Sequence, residues 1–296
     1  MPLTAYFNEI RAIVDDAMDR LVPPSATHPA VLHEAMRYSL FAGGKRLRPT
    51  LAMAACDAVG GARSRVVPFA VALEAIHTYT LIHDDLPAMD NDDYRRGLPT
   101  SHKKFGEAAA ILAGDALLTL AFEIISNLRN FPGVSPETLL EVSRHTANAV
   151  GSVGTVGGQM ADIQMEGAEG DMASLEYIHI HKTGKLIAAS VRGGALLGGG
   201  DNDAVNAITE YGKNIGLAFQ IVDDILDIEG ELASLGKTPG SDTRKKKLTY
   251  PALMGVAESR KLASRLTDRA IGHLAILGSG GERLSDLAKY VIARAF

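Results

Sequence analysis

Five aspartates crowd the segment between Ile76 and Gly97, at Asp84, Asp85, Asp90, Asp92 and Asp93, and Arg95 and Arg96 follow directly. The apolar residues before them read as the end of a helix. Carboxylates at a helix C-terminus oppose the macrodipole and repel one another, so they need cations nearby. Bound metal is one such compensation; taken alone, the aspartates equally suit a solvated acidic loop. Pro87 stops the helix just after Asp84 and Asp85 and lets the chain turn, which allows Asp90 to face back toward Asp84 across one ion. A continuous helix would rotate by about 600° over those six residues and leave the two roughly 120° apart.

A second acidic set lies in FQIVDDILD, residues 219 to 227, inside the helical stripe Ile215, Phe219, Val222, Leu226. Gln220, Asp223 and Asp227 stand at i, i+3 and i+7 and project from one helical face. Like charges four apart destabilise a free helix, so beside an apolar stripe they point to a cavity that holds cations, with a lysine-paired structural set as the alternative. Oxygen-only donors, few per ion and without nearby Cys, suit Mg²⁺, which keeps waters and completes its shell with phosphates. A calcium loop begun at Asp90 fails, because its sixth position is Arg95 and its twelfth is Ser101. A phosphate-binding P-loop ending at Gly236-Lys237-Thr238 fails as well, since Glu231 stands where its first glycine belongs.

Cationic groups form the third component: Lys45, Arg46 and Arg48 after Gly43-Gly44, then His77, Arg95-Arg96, His181-Lys182-Thr183, Lys237 and Lys247. Each is ordinary alone, and Gly-Gly before basic residues often marks a helix end. Set against two acidic clusters in a chain of formal charge −5, they imply anions bound in two ways. One diphosphate would lie on Mg²⁺, and another would be gripped by Lys and Arg directly. His77 lies seven residues before Asp84 on the same helical face; a core histidine bonded to a carbonyl is the competing reading. Neither G-x-S-x-G nor a Cys-His pair is present.

The elements that must position these residues read as helices almost throughout. Phe7, Ile10, Ile13, Val14, Met18 and Leu21 share one face, and similar stripes recur to Tyr290 and Val291. Breaks at Pro23-Pro24, Gly43-Gly44, Gly60-Gly61, Pro87, Pro99, Pro132-Gly133, Gly157-Gly158, Gly198 to Gly200, Gly230, Pro239-Gly240 and Gly278 to Gly281 predict about ten helical segments. Alternating strand patterns are almost absent, so the fold class is all-α, a helical bundle formed by one domain over 1–296. Residues 230 to 248 read as a mobile basic loop beside something anionic, and the small residues of 186 to 199 as close packing within the bundle or at a dimer interface.

With 46% hydrophobic and 22% charged residues the chain is neither disordered nor fibrous. Thirty basic against 35 acidic side chains argue against general nucleic-acid binding. No uninterrupted apolar run reaches the length of a membrane span. A single cysteine, Cys56, in an apolar run excludes an internal disulfide and is expected to be buried; with no targeting segment, the expected compartment is the cytosol.

These motifs resemble the trans-isoprenyl diphosphate synthases, in particular the bacterial short-chain farnesyl diphosphate synthases. The resemblance rests on GGKRLRP (43 to 49), HTYTLIHDDLPAMDNDDYRRGLPTSH (77 to 102), FGEAAAILAGDALLTLAF (105 to 122), HKTG (181 to 184), GLAFQIVDDILD (216 to 227), and LGKTPGSD through KLTYP (235 to 251). It implies an isoprenoid-synthase-type bundle around a central cavity, usually a homodimer. Asp84, Asp85, Asp90, Asp223 and Asp227 would hold three Mg²⁺ on an allylic diphosphate, which Arg95, Lys182, Lys237 and Lys247 would grip. Lys45, Arg48, His77 and Arg96 would bind isopentenyl diphosphate, and Thr183 and Gln220 would face the reacting cation.

The implied reaction is head-to-tail condensation of isopentenyl diphosphate with dimethylallyl or geranyl diphosphate. Product length would be set by the helix before Asp84, where Tyr79 lies about 7.5 Å down the axis and Thr80 one turn below. In the resembled family an aromatic residue at position 79 goes with a C15 product, so farnesyl diphosphate is expected, with geranylgeranyl (C20) or geranyl (C10) diphosphate as alternatives. A terpene cyclase shares the first aspartate motif but has no use for the acceptor cations, and a non-catalytic subunit tends to lose aspartates that are present here. The resembled family often ends in a basic tail, whereas this chain offers only Arg294 there.

Overall fold

The structure, a computed structural model, describes residues 2–167, 170–229 and 247–293. Fourteen α-helices among the described residues make the protein all-α, as the periodicity predicts. They divide into two compact units. The first unit takes the residues up to Met53 together with Ala62–Ser143. It contains α1 (Leu3–Leu21), α2 (Ala30–Leu40), α4 (Val67–Asp84), α5 (Ser101–Phe105) and α6 (Glu107–Ser126), with most of α3 (Leu47–Ala58) and the first half of α7 (Pro136–Val150). The second unit takes Ala54–Gly61 and the described residues from Arg144 onward. It contains α8 (Thr155–Met165), α9 (Met172–His179), α10 (Lys185–Gly198), α11 (Asn202–Glu229), α12 (Tyr250–Met254), α13 (Val256–His273) and α14 (Glu282–Ala293).

In the first unit α4 is buried on every side, from Phe69 and Leu73 to Ile76, Tyr79 and Ile82. A helix apolar all round belongs in a core, and α4 packs most extensively on α6. Each fully buried Leu, Ile or Phe contributes about 1.5–3 kcal/mol, so α4 is the main apolar anchor of its unit. Ile10, Val14 and Met18 of α1 reach the core on the predicted stripe. Tyr6 and Ala17 join them, while Phe7, Ile13 and Leu21 stay partly exposed. By length and composition α6 resembles a membrane span, but Asp115 and Glu123 interrupt it and its inner face is packed on α4.

In the second unit Ile221, Val222 and Ile225 of α11 pack with Leu175, Tyr250 and Ala263. Cys56 is buried as expected. Two features differ from the expectations. Short helices such as α5 and α12 have too few residues to show a period, so there are more helices than the breaks suggest. Gly157-Gly158 is not a break at all, since α8 runs through it.

Among the cations of the first unit, Arg46 is used internally. Its guanidinium is buried, donates to Glu74 at 2.7 Å and Asp15 at 3.0 Å, and bonds the Leu40 carbonyl at 2.9 Å, from a backbone held at φ 49. Glu74 is buried too, so removing its partner strands a charge in the core. Arg46→Ala is expected to cost about 3–5 kcal/mol in urea denaturation.

Candidate functional site

The predicted residues fall into two groups, one in each unit. In the first, α4 ends at Asp84 and Asp85 caps it. The turn expected at Pro87 closes: the Asp90 N–H donates to the Asp84 carbonyl at 2.8 Å, and Asn91, at φ 52, bonds back to Leu86 at 3.1 Å. Residues 84 and 90 are therefore neighbours through the backbone. Asp84 and Asp90 keep solvent-reachable surface, while Asp85 is buried.

Arg95 Nε donates to Asp85 at 2.7 Å and its guanidinium also meets Asp92 at 3.4 Å, while Asp93 pairs with Lys103 at 2.7 Å. The cluster is thus partly neutralised from within. Burial nevertheless pushes the Asp85 carboxyl up to about 6; the Arg95 bond and charge pull it down, and Asp92 and Asp84 push it further up. Several aspartate oxygens within one short turn are donors of the kind a divalent ion takes.

Arg96 comes to the GGKRLRP loop because a two-residue hairpin, β1 (Tyr94–Arg95) on β2 (Leu98–Pro99), reverses the chain. Arg96 and Gly97 both take positive φ, 54 and 78, the conformation such tight hairpins require. The Arg96 guanidinium donates to the Gly43 carbonyl and fills the space that a Cβ on Gly44 would take, 2.7 Å from its Cζ. Lys45 is exposed and Arg48 half-buried nearby in sequence. Burial, then the charges of Arg48, Arg96, Arg95 and Arg46, hold His77 well below its ordinary pKa, so it stays neutral in a positive field. A small cleft is lined by Tyr38, Thr78, Asp85, Arg95, Arg96 and Ser101, among others. The hydroxyls of Thr78 and Ser101 are buried there with no partner among the described residues. Positive field and unmet polar groups together suit an anion.

In the second unit α11 carries Gln220, Asp223 and Asp227, the last buried. Asp224, one step round the helix, is structural: it accepts from the Tyr250 N–H at 2.9 Å and lies 3.7 Å from His179. Lys182 and Thr183 sit on a single π-helical turn, residues 180–184, joining α9 to α10. Such turns recur at functional sites. That turn meets α11 backbone to backbone, for a Cβ on Gly216 would lie 2.8 Å from the Gly184 Cα. Gln220 follows one helical turn after Gly216, which sets the HKTG and GLAFQ motifs side by side.

On its other side the π turn meets α8, where a Cβ on Gly158 would come within 2.2 Å of the Lys182 nitrogen. This approach sets Asp162 beside both lysines, at 2.6 Å from Lys182 Nζ and 3.6 Å from Lys247 Nζ. Asp162 was not among the predicted residues, nor was Gln159, whose Oε1 is buried without a partner among the described residues. Their signal was present as Gln and Asp at i and i+3 after two glycines, but the glycines read as a break. Lys237, Glu231, Arg294 and the basic loop through Lys246 lie outside the described residues. Among the described residues no three His, Cys, Asp or Glu side chains gather into a ready metal site. Mg²⁺ commonly binds through one or two carboxylates with substrate phosphates, so the oxygen donors present fit that ion.

Residues 29–274 match the family model described as polyprenyl synthetase. The chain is 46% identical over 289 residues to a farnesyl diphosphate synthase of Geobacillus stearothermophilus, covering 98% of this chain and 97% of that one. It is 44% identical over 294 residues to a geranylgeranyl diphosphate synthase of Cyanophora paradoxa, covering 99% and 96%. Its structure matches that of an FPP/GFPP synthase from Zymomonas mobilis with TM-score 0.87 and 37% identity, over 98% of each chain.

The contact between α8 and the π turn leaves no room for a methyl group against backbone. Gly158→Ala is expected to lower stability by about 1–3 kcal/mol, read as a fall in the thermal midpoint.

Proposed function

The chain belongs to the polyprenyl synthetase family, and on that premise we propose that it condenses isopentenyl diphosphate head to tail with dimethylallyl or geranyl diphosphate to give farnesyl diphosphate. The observation that carries this reading is the closed turn from Asp84 to Asp90 with Arg95 and Arg96 beside it. Asp84, Asp85, Asp90, Asp223 and Asp227 would hold Mg²⁺, three ions with diphosphate bound. When bound, Mg²⁺ neutralises the diphosphate as a leaving group.

Arg95, Lys182, Lys237 and Lys247 bind that diphosphate and stabilise the charge it gains as the allylic C–O bond ionises. Lys45, Arg48, Arg96 and neutral His77 hold isopentenyl diphosphate so that its double bond reaches the cationic carbon. Thr183 and Gln220 turn their oxygens toward that carbon, apolar walls exclude water, and the released diphosphate takes the proton lost in the final step.

For product length, support comes from Tyr79, which is 5% exposed near the end of α4 as a bulky floor. Thr80, one turn below Asp84, is occupied by a bond from its hydroxyl to the His77 carbonyl at 2.8 Å. The relatives include both farnesyl and geranylgeranyl synthases, so the family leaves C15 and C20 open and the bulk of Tyr79 is what supports the C15 reading. The proposal includes a cytosolic homodimer. It is supported by the exposed Ile111 and Leu112 of α6 and Leu140 of α7, and by the lone buried cysteine.

With radiolabelled isopentenyl diphosphate, dimethylallyl diphosphate and Mg²⁺, the pure protein is expected to form a C15 product. No incorporation, or a hydrocarbon made from farnesyl diphosphate alone, would overturn the assignment. Asp84→Ala and Asp223→Ala should each lower turnover by roughly two to three orders of magnitude while the thermal midpoint stays near that of the parent. Tyr79→Ala should lengthen the product in a chromatogram of the dephosphorylated alcohols.

A further inference from the structure

We infer that His83 and Gly114 form a clamp that fixes the ring of Tyr79, and that both positions therefore determine product length. The inference rests on the reading of Tyr79 as the floor of the product cavity. Tyr79 is almost fully buried, yet its phenol oxygen has no hydrogen-bond partner among the described residues. Among the described residues no hydrogen bond anchors the ring, so packing sets its place. One turn later on α4, His83 meets that ring edge to face, with centroids 5.7 Å apart and planes at 81°.

His83 itself is tied to α6. Its Nε2 donates to the Ile111 carbonyl at 3.0 Å and lies 3.9 Å from an Asp115 carboxylate oxygen. The imidazole lies where a side chain at position 114 would begin: a Cβ there would stand 2.1 Å from Nε2 and 2.5 Å from Cδ2. Gly114 thus admits His83 to the surface of α6, and His83 in that place walls the ring of Tyr79. A methyl at 114 must expel the imidazole, which removes the edge contact and lets the phenol ring swing away from the growing chain. His83 and Gly114 are positioning residues, since both act through Tyr79.

The test incubates full-length protein with isopentenyl diphosphate, geranyl diphosphate and Mg²⁺ and compares product lengths among Gly114→Ala, His83→Gln, Tyr79→Ala and the Tyr79→Ala/His83→Gln pair. Gly114→Ala and His83→Gln should each raise the share of products longer than the parent's main product by about fivefold, the order that loss of one aromatic contact allows. In the Tyr79→Ala background, His83→Gln should change nothing further. His83→Gln keeps a donor for Ile111 but no ring, and it decides the matter if Gly114→Ala does not fold by circular dichroism. Parental product lengths in the folded single variants, or an added effect of His83→Gln on Tyr79→Ala, would overturn the clamp. Tyr79→Ala with unchanged products would instead remove the floor reading itself, so the two failures are distinguishable.

Discussion

Carboxylates gathered at the end of an apolar helix repel one another and resist burial, and much of the structure around them supplies opposite charge. Arg95 reaches Asp85 and Asp92, and Lys103 reaches Asp93. In the second unit the signs are exchanged, with Asp162 standing between Lys182 and Lys247. Each pairing satisfies a charge that would otherwise be stranded at partial burial. Burial acts on both kinds of group: it holds the Asp85 carboxyl above its ordinary range, and, ahead of the charges of four arginines, it holds the His77 imidazole below its own. The carboxylate oxygens around Asp85 and the arginine field around His77 are what a divalent cation and a diphosphate would meet.

Such pairs need side chains from separate elements brought close, and glycine makes the approach possible. Gly216 against Gly184, and Gly158 against Lys182, let helices meet the π turn at backbone distance, so a side chain as short as that of Asp162 reaches Lys182. Gly114 does the same for His83 on α6. The tolerance for added atoms at these contacts is small, since interiors are packed about as densely as organic crystals. Close packing and charge placement are therefore coupled, because a helix moved outward by a methyl group takes its charged side chains with it.

Periodicity alone gave the helical class, because burial of one face repeats every 3.6 residues whatever the partner is. The stop at Asp84 was equally legible, since Pro87 forbids a continuing helix for local steric reasons. The grouping of Gln220, Asp223 and Asp227 on one face followed from helix geometry alone. Local chemistry acts within a few residues, and a sequence displays those directly.

Other assignments required distance in space. Arg46 and Arg48 look alike in GGKRLRP, yet Arg46 is buried on Glu74 and Asp15, residues far from it in sequence, while Arg48 is half-buried and exerts the largest of the four arginine charges on His77. Asp223 and Asp224 are adjacent, but one keeps exposed surface and the other anchors the Tyr250 amide. The glycines at 157 and 158 read as a break because glycine weakens an isolated helix, and only the neighbouring π turn reveals them as a contact surface. Sequence determined which chemical groups this protein carries and the helices that bear them. Tertiary structure decided which of those groups neutralise one another, because Coulomb and packing energies depend on separation and burial, and the order of residues along a chain fixes neither.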